Sequence, residues 1–255
     1  MKKDIIVFDV DGTLCESSKQ ILEHHAILLN QLKQHYDIAI CGGSTLSKIL
    51  NQINNKILFH HYFSECGCVY DKNNGENNKL ELQNIYTKNI RKHKNYKKIN
   101  ILLKVALRFF SNVDYILTGH FIDLRCGIIY ISCIGMQATD EERIYFKELN
   151  KDECIRKQLI ELLIQKAIEI NSLDEISITY GGTVGIAIYP KEYDKIQILP
   201  TLKQNYDKII YFGDRHEKNG NDYTIIHSNH IIGHKINSVE ETYDILNKVY
   251  LHKNS

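Results

Sequence analysis

The sequence predicts a two-domain α/β protein, a doubly wound parallel sheet whose chain is interrupted by an inserted α+β segment. Three observations predict it. Residues 4–9, "DIIVFD", form a continuous apolar run ending in an acidic turn, the pattern of a strand buried on both faces. Strand-like and helix-like stretches alternate through the first third, as βαβ units require. The middle instead carries two strand pairs with glycine turns, set around long helical stretches.

Each element follows from its own residues. "SKQILEHHAILLNQLKQHY" (18–36) places Ile21, Leu22, His25, Leu28, Leu29 and Leu32 at helical spacing, so an amphipathic helix is expected. "DIAICGGS" (37–44) reads as a second strand ending in Gly-Gly-Ser, followed by a helix over "TLSKILNQI". The polar stretch 71–84 has Asn-Gly turn chemistry, and the basic "KNIRKHKNYKK" after it reads as a solvated helix face. "DYILTGHFIDLRCGIIYISCIG" (114–135) reads as two strands joined at Cys-Gly. The segment from Thr139 to Ile170 reads as one long helical stretch, with Arg143 supporting it through i,i+4 pairing. "EISITYGGTVGIAIYP" (175–190) is a strand pair hinged at Gly181-Gly182. The expected core is 1–81 with 188–255, and the expected insert is 82–187.

Composition bounds the function. A chain of 255 residues, 43% hydrophobic and 25% charged, with a net charge of +1, is globular and lacks the basic balance of a nucleic-acid or membrane-surface binder. The apolar run before Asp9 is too short for a secretory signal core. No stretch approaches the ~18 uninterrupted apolar residues of a membrane helix; the best, "INILLKVALRFF", is broken by Lys104 and Arg108. The 7 cysteines are odd in number, and Cys66 and Cys68 have no second pair. That argues against structural zinc or a disulfide framework and for a reducing, cytoplasmic compartment. His24, His25, His60 and His61 have no acidic partner at ligand spacing and read as helix and loop residues.

The chemistry begins at "IIVFDVDGTL" (5–14), where a buried strand runs into two carboxylates. Alone, Asp-x-Asp-Gly-Thr is also an acidic turn. Further residues arrive in the order and at the strand ends that phosphoryl transfer needs. Asp9 suits a nucleophile forming an aspartyl-phosphate, and Asp11 suits the general acid/base. Ser44 suits a hydrogen bond to phosphoryl oxygens, although serine there is also a common helix N-cap. Lys195 in "YDKIQIL" suits a charge partner of Asp9 and the phosphoryl group, with Lys191 close by as a rival. Asp214, Asn221 and Asp222 in "FGDRHEKNGND" would join Asp9 and Asp11 around a cation. Hard oxygen ligands beside a phosphate favour Mg2+.

"FDVDGTL", Gly-Gly-Ser after the second strand, a lone lysine and "FGD…GND" together resemble the haloacid-dehalogenase superfamily of phosphotransferases. "ICGGSTLSKIL", "FIDLRCG", "DEERIYFKEL", "YDK" and "YFGDRHEKNGND" narrow the resemblance to eukaryotic phosphomannomutases over nearly the full chain. The resemblance implies a Rossmann-like core with an inserted α+β cap, which shapes specificity and carries a homodimer interface. It implies interconversion of mannose 6-phosphate and mannose 1-phosphate through a hexose bisphosphate, with magnesium. It also implies cap arginines on the sugar's second phosphate. One matches Arg125, which is also readable as a cross-strand charge; others fall at Thr118 and Met136. A core arginine falls at Ser18, beside Lys19, and a cap serine and aspartate fall at Gly185 and Ala187. A charge-assisted hydrogen bond contributes roughly 1.5–3 kcal/mol, so each such arginine replaced by Thr or Met weakens the hold on phosphate. Two other outcomes therefore stand beside a mutase: a sugar-phosphate or nucleotide phosphatase using water as acceptor, and a non-catalytic dimeric relative.

Overall fold

The computed structural model describes residues 3–75, 79–218 and 220–251. In chain order the elements are β1 (Lys3–Phe8), α1 (Glu23–Leu32), β2 (Asp37–Cys41), α2 (Leu46–Ile53), β3 (His61–Ser64), β4 (Val69–Asn73) and β5 (Leu82–Thr87). Next come α3 (Tyr96–Phe110), β6 (Ile122–Leu124), β7 (Ile129–Ser132), α4 (Asp140–Glu153), α5 (Ile155–Glu169), β8 (Ile176–Gly181) and β9 (Gly185–Pro190). The chain closes with α6 (Leu199–Lys203), β10 (Tyr206–Gly213), α7 (Tyr223–Ile226), β11 (Ile232–Lys235) and α8 (Val239–Ile245). They form two compact units, Met1–Lys88 with Asp194–Ser255, and Asn89–Tyr193.

Among the described residues, the first unit holds a seven-stranded sheet in the order β11-β10-β1-β2-β3-β4-β5. Pairings from β11 to β3 are parallel, and β4 and β5 are added antiparallel. The unbroken apolar run of β1 is explained by cover on both faces. Ile6 and Phe8 belong to a core with Leu29, Ile49 and Tyr243, whereas Ile5 and Val7 join Leu199, Leu202 and Ile225 on the other face. The fold class expected from sequence, an α/β core interrupted by an α+β insert, is the one the chain adopts.

The second unit is an antiparallel sheet, β6-β7-β9-β8, whose apolar residues Ile129, Ile131, Ile186 and Ile188 share a core with Leu102, Phe146, Leu159 and Leu163 from α3, α4 and α5. The unit boundaries differ from the expected ones. β5 pairs along β4 and so belongs with the core sheet, and β9 runs on to Pro190, paired with Ile176. The crossings therefore lie at 88/89 and 193/194 instead of 81/82 and 187/188. Two helices also depart from expectation. The stretch after Thr139 breaks at Cys154, which takes a left-handed φ of 50° between α4 and α5. The first helix begins only at Glu23, because Ser18 sits at φ 62° in the loop before it. Among the described residues Arg143 has no i,i+4 ion pair; it donates to the carbonyls of Ala138 and Met136.

His61 is not a loop residue but the centre of a buried relay at the amino-terminal end of the parallel strands. Tyr206 donates its hydroxyl proton to Asp37 at 2.8 Å, so its oxygen must accept from His61 Nε2 at 2.7 Å. That leaves Nδ1 to accept from the Tyr70 hydroxyl at 2.8 Å. A neutral ring is thereby fully satisfied, and burial, followed by the neighbouring His60, lowers its pKa from 6.5 to about 4. The unfolded chain binds the proton first, so this stability is whole above pH 6.5 and is lost as pH falls through about 4. Urea unfolding at pH 7 and pH 5, without magnesium, is expected to show a smaller loss of midpoint on acidification for His61→Gln than for the unsubstituted protein. An equal loss in both would refute the assignment.

Candidate active site

Three of the parallel strands deliver acidic or polar residues at their carboxyl ends, where open α/β sheets bind ligands. β1 ends at Phe8, and the amide of the next residue, Asp9, still donates to Phe212 on β10 at 2.9 Å, which anchors the nucleophile candidate to the sheet. The chain then turns tightly, with the amides of Leu14 and Cys15 returning to the Val10 carbonyl. Gly12 lies inside this turn at φ 85°, and a Cβ there would stand 2.5 Å from Asp214 Oδ2. Glycine is needed for both reasons: the backbone angle and the close approach of the two loops. Gly12→Ala is expected to lose about 1–2 kcal/mol from the backbone conformation alone. It also displaces Asp214, which would appear as weaker magnesium binding in a calorimetric titration.

Asp9 is 5% exposed, and Lys195 and Asp222 are fully buried. Lys195 Nζ donates to Asp9 Oδ1 and Asp222 Oδ1, both at 2.6 Å. Asp222 Oδ1 also accepts from the Tyr211 hydroxyl at 2.5 Å, while its Oδ2 takes the Arg215 amide at 3.1 Å. The lysine is aimed by a short 3-10 turn, Lys195–Ile198, whose N-cap Asp194 accepts from the Lys195 amide. Lys191 is exposed and lies outside this group.

The electrostatics follow from burial. Burial drives the Asp9 pKa well above the ordinary carboxylate value, with Asp222 and Asp214 adding to the rise and Lys195 opposing it. Burial, then Asp222, raises Asp214 to about 6. Burial also works against the charge on Lys195, yet Asp222 and Asp9 hold its pKa well above that of an ordinary lysine. Lys195 thus serves Asp9 and Asp222, and Arg215 Nε stands 3.3 Å from Asp214 Oδ2, so two cations face three carboxylates.

The remaining negative charge suits a metal. Asp9, Asp214 and Asp222 offer oxygens that lie within 4.8 Å of one another. Among the described residues, Asp214 Oδ1 and Asn221 Oδ1 are buried acceptors with no hydrogen-bond partner. Orphaned buried oxygens within a cluster of carboxylates are the donor set a hard cation takes. Asp222, by contrast, has both oxygens engaged by protein donors and mainly anchors Lys195.

Asp11 does not join this group, contrary to the sequence expectation. Its Oδ1 accepts from the Ser18 amide at 2.8 Å and from Gln52 Nε2 at 2.9 Å, and Lys48 Nζ stands 3.7 Å from Oδ2. These donors hold the carboxylate beside α2, and it is not one of the three whose oxygens lie within 4.8 Å of one another.

Ser44 follows β2 but does not cap α2, whose N-cap is Thr45. Its carbonyl accepts from the Glu65 amide at 3.0 Å, and the adjoining Gly43 faces Asn221, since a Cβ there would lie 3.5 Å from Asn221 Nδ2. The Gly-Gly-Ser loop is therefore beside the acidic group. In the other unit, Arg125 donates to Asp123 at 2.7 Å and lies 4.8 Å over the Tyr130 ring. Arg143 of α4 and Arg156 of α5 also act electrostatically on the Tyr130 phenol. Across the strands Tyr130 pairs with Ala187, and its hydroxyl donates to the Gly181 carbonyl at 3.0 Å.

Sequence reading did not single out Lys48, Gln52, Tyr130 or Tyr211. The first two carried a signal, because i and i+4 share one helix face and α2 begins just beyond Ser44. Tyr130 and Tyr211 sit among ordinary apolar strand residues, with nothing local to mark them.

With this geometry in view, likeness to known proteins is informative. The eukaryotic phosphomannomutase family matches residues 25–252. A phosphomannomutase of Solanum lycopersicum is 30% identical over 254 residues, covering 98% of this chain and 96% of the relative. One from Oryza sativa subsp. indica is 29% identical over 252 residues, with the same coverage. Among solved structures, the Plasmodium falciparum IMP-nucleotidase aligns with a TM-score of 0.71 at 15% identity, covering 99% of this chain but only 62% of that one. A trehalose-6-phosphate phosphatase related protein aligns at 0.53 and 14% identity, covering 98% of each chain. At such identities the solved structures speak for the fold alone. Family match, full-length relatives and the carboxylate cluster agree: the chain belongs to the eukaryotic phosphomannomutase family.

Proposed function

We propose that this protein is a magnesium-dependent phosphomutase that moves a phosphoryl group between positions of a small sugar phosphate, mannose 6-phosphate and mannose 1-phosphate in the first instance. The observation that carries the reading is the buried Lys195 bridging Asp9 and Asp222 beside the unpartnered oxygens of Asp214 and Asn221. Burying that much charge is costly unless it is used.

Asp9 attacks phosphorus, a new P–O bond forms to its carboxylate, and the bond to the sugar oxygen breaks. Asp11 gives its proton to that leaving oxygen and, in the return half, takes one from the accepting hydroxyl. Lys195 holds Asp9 in line and offsets charge on the phosphoryl group, with Ser44 as a hydroxyl partner of its oxygens. Asp9, Asp214 and Asn221, with Asp222 behind them, would hold magnesium. When bound, that ion supplies positive charge against the carboxylates and the transferring group. Arg125 is our assignment for the second phosphate, and a hexose bisphosphate for the activator. The odd number of cysteines, 7, supports a cytoplasmic, reducing setting. No helix of the described residues is long and apolar enough to cross a membrane. Leu107, Ile144, Tyr145 and Leu162 stand exposed on α3, α4 and α5, which supports a homodimer through the cap.

A second reading has its own observation. Where the resemblance implies a substrate-contacting serine and aspartate, this chain has Gly185 and Ala187, and a Cβ at 185 would lie 2.3 Å from the Tyr130 hydroxyl. Tyr130 occupies that space, which favours water over a sugar as acceptor. Phosphorus NMR with mannose 1-phosphate, magnesium and a trace of hexose 1,6-bisphosphate tests both, with Asp9→Asn as the blank. A growing 6-phosphate signal is expected for the mutase. Inorganic phosphate alone would replace it with the phosphatase, and neither signal above the blank would refute both readings for this substrate.

A further inference from the structure

We propose that Gln52 is a positioning residue for Asp11, holding one carboxylate oxygen so that the other carries the transferred proton. This rests on the reading above that Asp11 is the general acid.

Gln52 lies on α2, one turn beyond Lys48, and is 3% exposed. Its Nε2 donates to Asp11 Oδ1 at 2.9 Å and lies 3.6 Å from Cys15 Sγ. Its backbone carbonyl accepts from the Ile21 amide at 2.8 Å, a bond that any side chain at this position would keep. The amide oxygen is the telling atom. Gln52 Oε1 is buried with no hydrogen-bond partner among the described residues. A buried acceptor without a donor is a stability penalty, and a methionine of similar length and flexibility would remove it. Packing therefore does not ask for glutamine at this position; the bond to Asp11 does.

That bond has a directional consequence. Among the described residues, Asp11 Oδ1 receives two close donors, the Ser18 amide and Gln52, whereas Oδ2 has only the 3.7 Å contact with Lys48. Oδ1 is saturated and Oδ2 is left for proton exchange. The carboxylate cannot rotate about its Cβ–Cγ bond without breaking both bonds to Oδ1.

A general acid matters most when the leaving oxygen is basic, so its alignment is read by comparing leaving groups. Turnover of p-nitrophenyl phosphate and phenyl phosphate, which differ little in shape and much in leaving-group basicity, is measured with magnesium for the unsubstituted protein and for Gln52→Met. Both rates are expected to fall, phenyl phosphate further, so that the ratio of kcat/KM for nitrophenyl over phenyl rises about tenfold or more. The thermal midpoint of Gln52→Met is expected at or above that of the unsubstituted protein. Gln52→Asn, which keeps the amide but cannot reach Asp11, should raise the ratio likewise and guards against a misfolded methionine variant. An unchanged ratio in both variants, with the two rates falling together, marks a merely structural role and overturns the proposal alone. No turnover of either ester above Asp9→Asn by the unsubstituted protein overturns the aspartyl-phosphate reading, and this proposal with it.

Discussion

Lys195→Met is expected to lower the free energy of unfolding by about 3–5 kcal/mol, the usual loss when one member of a buried ion group is removed. It should also bring phosphoryl transfer to background. The reason lies in what remains. Asp9 and Asp222 are both buried and each lose a donor at 2.6 Å, and Asp214 already adds negative charge nearby. Urea unfolding with the metal removed measures the stability loss. Adding Asp222→Asn to Lys195→Met should recover part of it, because the second substitution deletes one of the stranded charges. Additive losses in the double variant would mean that the lysine and the aspartate do not act as a pair.

Asp9→Asn is expected to behave in the opposite way: transfer falls to background while stability holds or rises. Burial, then Asp222 and Asp214, push the Asp9 pKa up, so its charge at neutral pH is held against the preference of the fold. The sign follows by linkage. A carboxyl whose folded pKa exceeds its unfolded one stabilises the fold in the protonated state and destabilises it as pH rises. Asparagine mimics the protonated form, and Lys195 keeps Asp222 as its partner. The expected result in metal-free buffer at pH 7 is a thermal midpoint no lower than that of the unsubstituted protein. With magnesium, ligand binding should stabilise the unsubstituted protein by about 2.7 kcal/mol at a hundred times Kd and raise its midpoint accordingly. The shift for Asp9→Asn should be smaller. A full magnesium shift in Asp9→Asn would exclude Asp9 from the ion's ligands.

The two substitutions act on the same ion group yet have opposite signs, and that contrast could not be read from the chain. The motif order placed Asp9, Ser44 and Asp214 at strand ends, because a parallel sheet sends its carboxyl-terminal loops to one edge whatever the side chains are. The motif favoured Lys195 for the site but left Lys191 open as a rival. Lys191 and Lys195 are near neighbours in sequence, and burial of one with exposure of the other depends on how the turn after β9 enters the core. The fate of Asp11 was not legible, because it depends on donors from α2 and from a left-handed residue at Ser18.

The sequence by itself determined the architecture and the kind of chemistry. Apolar runs of strand length, helical spacing and the acidic motif are local patterns, and locally encoded preferences survive tertiary context when they all agree. Only the tertiary structure decided the division of labour among the carboxylates. Asp222 anchors the lysine, Asp214 and Asn221 keep open oxygens, and one oxygen of Asp11 is held by Gln52. The physical reason is that a carboxylate's role depends on which donors and charges lie within a few ångströms of it. In this chain those neighbours come from up to 186 residues away.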